Sequence, residues 1–392
     1  MNDFVHRSCH ISVLQQRILF AESRFAHPAY LVENYPEWPQ RAFEDATRLQ
    51  SAHSAKQYLP SCGSDELIEQ IIAHEEEKYG VTLAQESILV TAGGMHALWL
   101  AFRDIAQRRP GSTVLCLGIT FVGVANLIEM CGMNVRFANC NFADMTADDV
   151  ERHFDADVSC VYINSPHNPT GEYIDSRTLH RIAQLVEARS LSCVIDAVYD
   201  SYFFDGAAPE LPVGMGVADH LYFVCSMSKN FGLPGARIGW LVSSHRNIRA
   251  AVYWLENQNV SVSSISQELA ARVLAFGNRP LIASMTAVRA SALDFLNREF
   301  GVQRLPPAGT QMALQLPVAD VEHFADYALN RHQLVLATSS NYAGFAEGFI
   351  RLPFSYLEES TQRALQRLAL AINTYADAQS ASKPERRVGS SA

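Results

Sequence analysis

The sequence predicts an α/β fold: a large domain whose mostly parallel (mixed) seven-stranded sheet is sandwiched by helices, plus a smaller α+β domain. Three observations predict it. Between residues 86 and about 245, seven short apolar runs recur at strand length. Stretches of helical period lie between several of them, and strands alternating with helices give parallel sheets covered on both faces. The chain has 392 residues, 48% hydrophobic and 18% charged, which suits a large core and about two domains.

The runs, in order, are "SILVT" 87–91, "TVLCL" 113–117, "NVRFA" 134–138, "VSCVYI" 158–163, "CVID" 193–196, "LYFVC" 221–225 and "IGWLVS" 238–243. Residues 95–107 place Met95, Leu98, Phe102 and Ile105 on one helical face, and Arg108-Arg109-Pro110-Gly111 stops the run. Residues 176–190 repeat the pattern with Leu179, Ile182 and Leu185-Val186. A long helical stretch, 264–300, leads to "PPAGTQMALQLP" and "QLVLATSSNYAGFAEGFIRLPFS", which read as the smaller domain. The first 45 residues show no strand rhythm of their own and are assigned to it as well. The expected division is 46–275 for the large domain and 1–45 with 276–378 for the small one. The polar tail 379–392, "SASKPERRVGSSA" at its end, is expected to be disordered.

The net charge of −10, from 31 basic and 41 acidic side chains, argues against a nucleic-acid surface. The N-terminus lacks the pattern of a signal peptide, and no segment reaches about 18 apolar residues, so no membrane span is expected. The eight cysteines, at 9, 62, 116, 131, 140, 160, 193 and 225, form no CxxC pair. They read as reduced residues of a cytoplasmic protein, with no disulfide framework and no metal site.

Four loops that follow predicted strands hold residues with chemistry. "AGGMHAL" opens a helix with two glycines, and exposed amides at a helix N-terminus bind phosphate, although the same pair also reads as a tight turn. "NSPHNPTGEY" reads as a turn, or as a rigid platform from which Asn168 donates a hydrogen bond. Asp196 ends an apolar strand, with Tyr199 three residues on. It is either an N-cap or a carboxylate that meets a cation. "SMSKNFGLPGARIGW" carries Ser226, Lys229 and Arg237. A lysine at the end of a buried strand can lose its proton and act as a nucleophile, while a hydroxyl and a guanidinium suit a phosphate.

Together "NPTG", "D-x-x-Y" and "S-x-S-K-x-x-x-x-x-x-x-R", in this order, resemble the class I/II aminotransferases, the pyridoxal-phosphate enzymes of the aspartate aminotransferase fold (fold type I). The resemblance spans about residues 30 to 375. It implies pyridoxal 5'-phosphate bound to Lys229 as a Schiff base, with the freed amine moving the proton at the substrate α-carbon. It implies that Asp196 pairs with the pyridinium nitrogen, and that Tyr199 and Asn168 reach the ring oxygen. Gly94 and Met95 amides, Ser226 and Arg237 would bind the phosphate. Phe121, in "GITFVGVA", matches the position that stacks on the ring, or is a core residue. Tyr58, in "QYLPSCG", matches a tyrosine that reaches the neighbouring subunit's phosphate, which implies a homodimer with shared active sites. Arg351, in "GFIRLPFS", matches the clamp for the substrate α-carboxylate; its alternative is a structural salt bridge.

The implied reaction moves an amino group between an amino acid and a 2-oxo acid. A family lid segment has no clear counterpart here; "YLVENYPEWPQ" stands in its place, so Glu33, Asn34, Tyr35 and Glu37 are candidates for side-chain recognition. No second arginine stands out for an acidic side chain, which leaves a dicarboxylate only as the second partner. "SPHNPTG" with "SK-x-F-GLPG-x-R-x-GW" also resembles capreomycidine synthase, a relative that cyclises an arginine-derived amino acid, and an acidic lid would suit a guanidinium. The alternatives are therefore a non-transaminating reaction on the same cofactor, such as elimination or cyclisation, and, remotely, a cofactor-sensing regulator.

Overall fold

The structure is a computed structural model that describes residues 12–48, 56, 58–205, 217–344, 348–355 and 358–381. Its strands run in chain order β1 (Ala29–Leu31), β2 (Ile88–Thr91), β3 (Thr113–Leu117), β4 (Thr120–Phe121), β5 (Asn134–Ala138), β6 (Val158–Asn164), β7 (Ser192–Asp196), β8 (Leu221–Ser226), β9 (Gly239–Val242), β10 (Gln311–Gln315), β11 (Leu334–Thr338), β12 (Tyr342–Ala343) and β13 (Phe349–Pro353). All seven runs read from the sequence are strands of one sheet, in the order β2-β9-β8-β7-β6-β3-β5. Every pairing within it is parallel except those of β9. β3, β6 and β8 are buried along their whole length, which is why they read as unbroken apolar runs instead of alternating ones. The edge strand β5 is half-exposed and carries Asn134 and Arg136.

The antiparallel turn of β9 has a positional effect. Gly239 pairs with Thr91 at the end of β2 and with Ser226 at the end of β8. Residues just before Gly239 therefore arrive at the carboxyl ends of both neighbours, where ligands of such sheets bind.

A second sheet, β1-β11-β13-β10, lies against the helices Arg279–Phe300, Val321–His332 and Glu358–Ala381. It has its own apolar core, which includes Leu31, Phe324, Leu336, Ile350 and Leu365. A two-residue ladder, β4 with β12, ties this part to the loop after β3 through the Phe121–Tyr342 pair.

Three expectations need correction. The stretch 264–300 is two helices, Ser264–Phe276 and Arg279–Phe300, because Gly277 and Asn278 interrupt it and Pro280 sits in the first turn of the second. The N-terminal residues do supply a strand: three-residue β1, too short to show a rhythm, pairs with β11. The last helix runs to Ala381, into the tail expected to be disordered; the rest of that tail lies outside the described residues, as does Cys9. The seven cysteines that are described are free thiols. Among the described residues no helix is long and apolar enough to cross a membrane.

One buried ion pair fastens the layers around the sheet's carboxyl end. Asp200, 1% exposed, meets Lys78 Nζ at 2.5 Å, accepts from Asn230 Nδ2 at 2.6 Å, and also accepts from the Tyr79 hydroxyl. It thus joins the Asp65–Tyr79 helix to the turn that carries Lys229. Asp200→Ala leaves the mostly enclosed Lys78, 13% exposed, without this counter-charge and takes an acceptor from the Asn230 amide, and we expect it to cost about 3 kcal/mol in urea unfolding. Arg152→Ala breaks the exposed pair with Asp149 and should cost under about 1 kcal/mol. Equal losses would refute the assignment.

Candidate active site

The ends of β2, β6, β7 and β8 surround a cavity of about 250 Å³. Gly94, Met95 and Phe121 line it, as do Asn168, Asp196 and Tyr199. So do Ser226, Lys229, Arg237 and Arg351. Of the four recognition candidates in the 33–37 segment, Asn34 lines the cavity and Glu33, Tyr35 and Glu37 do not; Tyr58 also lies elsewhere, 83% exposed and away from this cavity within its own chain.

Lys229 sits in the short Met227–Asn230 helix, whose N-cap is Ser226; the Ser226 hydroxyl accepts from the Ser228 amide at 3.1 Å. The Lys229 ammonium is packed in protein except where it faces the cavity, and it donates to Asn34 Oδ1 at 2.5 Å. Burial, then the charge of Arg351, pulls its pKa down to about 7; Arg237 adds to this and Glu33 opposes it.

Asp196 is buried at the end of β7. Tyr162 donates to its Oδ2 at 2.8 Å and the Val198 amide to its Oδ1 at 3.3 Å. Burial pushes its pKa up to about 6 despite these bonds, so a cation placed beside it would be strongly favoured. Tyr199 accepts from Asn34 Nδ2 at 2.5 Å, so Asn34 bridges the lysine and the phenol. Asn168 Oδ1 accepts from the Tyr342 hydroxyl at 2.7 Å, which leaves the amide NH₂ as its donor group.

Another wall of the cavity gathers hydrogen-bond donors of the kind that suit an anion. The Gly94–Arg108 helix begins here, and its first amides have no partner within the helix. Gly93 has φ +88°, a conformation that favours glycine, and a Cβ there would lie 2.4 Å from Arg237 Nη2, so a larger residue would push the guanidinium from its present place. Arg237 itself is held at φ +52°, strained backbone for a non-glycine residue, and reaches Ala92 O at 3.3 Å, Pro234 O at 3.0 Å and Ser228 Oγ at 3.4 Å. Arg351 is buried. It donates to Tyr342 Oη at 3.4 Å and to the Val32 carbonyl, while its Nε is buried with no hydrogen-bond partner.

Sequence reading passed over Tyr162, Asn164, Ser228 and Tyr342. Asn164 holds the Asp196 carbonyl at 3.0 Å and accepts from the Asn168 amide at 2.9 Å. Ser228 was visible as the second serine of "S-x-S-K"; Tyr162 looks like any core residue of an apolar strand. Tyr342 carries no signal in "SNYAG".

The chain matches the family described as aminotransferase class I and II over residues 25–368. It is 40% identical over 375 residues to the L-aspartate:5-guanidino-3-methyl-2-oxopentanoate transaminase of Pseudomonas syringae pv. syringae, covering 94% of this chain and 96% of the relative. It is 32% identical over 331 residues to the 3-methylarginine biosynthesis aminotransferase ArgM of Streptomyces arginensis, covering 82% and 86%. An aspartate aminotransferase from Thermotoga maritima superposes with TM-score 0.82 at 23% identity, over 93% of this chain and 97% of that one, a likeness of fold.

A lowered pKa makes Lys229 neutral, and so nucleophilic, above about pH 7 and protonated below it. Acetylation of the ligand-free protein, followed peptide by peptide by mass spectrometry, should show the Lys229 rate rising through a midpoint near 7. An ordinary lysine titrates near about 10.4; a midpoint above 9 at Lys229 would contradict this account.

Proposed function

The chain belongs to the class I and II aminotransferases and moves an amino group between an amino acid and a 2-oxo acid, and we propose that it does so with pyridoxal phosphate held beside Lys229. The observation that carries this reading is the neutral-tending amine of Lys229 facing one cavity with a buried carboxylate, Asp196, and two guanidiniums. The residues fit the cofactor. The Gly93 cradle and the helix amides of Gly94 and Met95, with Ser226, Ser228 and Arg237, would hold a phosphate. Asp196 would pair with the protonated ring nitrogen, Asn168 and Tyr199 with the ring oxygen, and Phe121 would cover the ring. When bound, the cofactor supplies the carbonyl that takes up the amino group and a ring that withdraws electrons from the α-carbon.

The chain's own groups do the rest. Arg351 clamps the substrate α-carboxylate with the donors that neither Tyr342 nor Val32 occupies. Lys229 Nζ, whose pKa of about 7 leaves a large neutral fraction at that pH, is the base that takes the proton from the substrate α-carbon. Asn34 positions that amine. Tyr162 and the Val198 amide keep Asp196 ionised once a cation faces it.

The name of the Pseudomonas relative supports a specific pair, L-aspartate as amino donor and a guanidino 2-oxo acid as acceptor, and that of the Streptomyces relative supports an arginine-like substrate. Exposed Tyr58 would complete the cavity of a second copy, making the unit a homodimer. Free cysteine thiols suit a cytoplasmic location.

Purified protein loaded with the cofactor, given L-aspartate and 5-guanidino-2-oxopentanoate, should release oxaloacetate and L-arginine in equal amounts. A cyclic product or free ammonia would overturn transamination. Lys229→Ala should retain cofactor yet lose the borohydride-reducible link to protein seen by mass spectrometry; a link surviving at another lysine would displace the assignment. Arg351→Lys keeps the charge but loses the fork, and should lower kcat/KM by about thirtyfold for every substrate, the worth of a charged hydrogen bond of about 2 kcal/mol.

A further inference from the structure

Residues 32–38 form an extended strap across the cavity mouth. Val32, Asn34, Pro36 and Trp38 are buried, whereas Glu33, Tyr35 and Glu37 are half-buried. The strap is pinned from both sides. Arg351 donates to the Val32 carbonyl, Ser355 Oγ to that of Glu33 at 3.0 Å, and Thr310 Oγ1 to that of Asn34 at 2.7 Å. The Glu37 amide donates to Ser355 O at 2.8 Å, and Trp38 Nε1 to Phe231 O at 2.8 Å. Gly232 allows Pro36 O to come so close that a Cβ would lie 2.3 Å from it.

This fixes what stands beside the reactive amine. Asn34 bonds it, and the face of Tyr35 lies 5.3 Å from Lys229 Nζ, within cation–π range. The Tyr35 hydroxyl is hydrogen-bonded to the Glu33 carboxylate and also feels Glu37. The Glu33 charge acts on both Lys229 and Arg351. Asp196, the buried acid that lines the cavity, is bonded to Tyr162 and the Val198 amide. Flanking the cavity-lining Asn34 there are therefore an aromatic face near the reactive amine and a carboxylate whose charge is felt at both Lys229 and Arg351.

We propose that Glu33 and Tyr35 form a subsite for the substrate's side-chain guanidinium, with the carboxylate taking its paired N–H groups and the ring taking its plane. This rests on the transaminase reading above and names the residues that make it selective. A guanidinium is planar and always charged, pairs with a carboxylate through two N–H groups and stacks on aromatic faces. A carboxylate side chain meets repulsion from Glu33 at the same place. A merely structural Glu33 that neutralises Arg351 would weaken all substrates alike.

The test uses the cofactor-loaded enzyme and single-turnover half-reactions, all at one fixed pH. L-arginine is compared with L-citrulline, its uncharged counterpart of nearly equal shape, and with L-aspartate. The wild type should favour arginine over citrulline by about tenfold to a hundredfold, the range of a charged hydrogen bond. Glu33→Gln should bring that ratio to within about threefold of unity and raise the aspartate rate, while Glu33→Asp recovers part of the preference. Tyr35→Leu should reduce the ratio without abolishing it. Glu33→Gln that keeps the wild-type ratio, or loses all three substrates equally, sinks the subsite and leaves the transaminase reading standing. A wild type that transaminates aspartate but no guanidino compound sinks the proposed substrate pair and the subsite with it.

Discussion

An amine that must stay uncharged between two guanidiniums is the constraint around which this molecule is arranged. Lys229 has Arg351 and Arg237 near it, and their charges help burial to strip its proton. A carboxylate as its hydrogen-bond partner would undo this by favouring the ammonium. The structure gives it the neutral amide of Asn34 instead. The buried carboxylate of the same cavity, Asp196, is bonded instead to a phenol and a backbone amide. Charge separation within one small cavity is thus achieved by assigning each ion a neutral partner.

The parallel sheet makes that separation possible. Its strand ends are fixed by pairing, so Asp196, at the end of β7, and Lys229, in the short helix that follows the neighbouring β8, keep a constant relation. The reversed strand β9 brings Arg237 back to the start of the Gly94–Arg108 helix. Beneath this, the Asp200–Lys78 pair and the Trp240–Glu75 bond fasten the Asp65–Tyr79 helix to the same layer. These buried polar links hold the turn bearing Lys229 in one place.

What the sequence disclosed follows from which contacts are local. β3 and β6 are buried on both faces, so apolar runs alone announce them. Ser226, Lys229 and Arg237 lie within twelve positions in one stretch, and their residue types state their chemistry. Asn34 was only one of four candidates in its segment, because its partners Tyr199 and Lys229 are 165 and 195 residues away. Tyr342 was invisible for the same reason: its bond to Asn168 spans 174 residues. β1 escaped notice because three residues show no period, and its pairing with β11 is supplied by tertiary packing. The break at 277–278 was legible in a glycine followed by an Asn-Arg-Pro sequence, but helical residues on both sides masked it.

The bond between Arg351 and the Val32 carbonyl has a mechanical corollary. One guanidinium belongs at once to a strand of the second sheet and to the strap over the cavity. The same side chain that faces the cavity thus also fastens the segment beside it, so any substitution of Arg351 removes a cavity donor and a structural tie together.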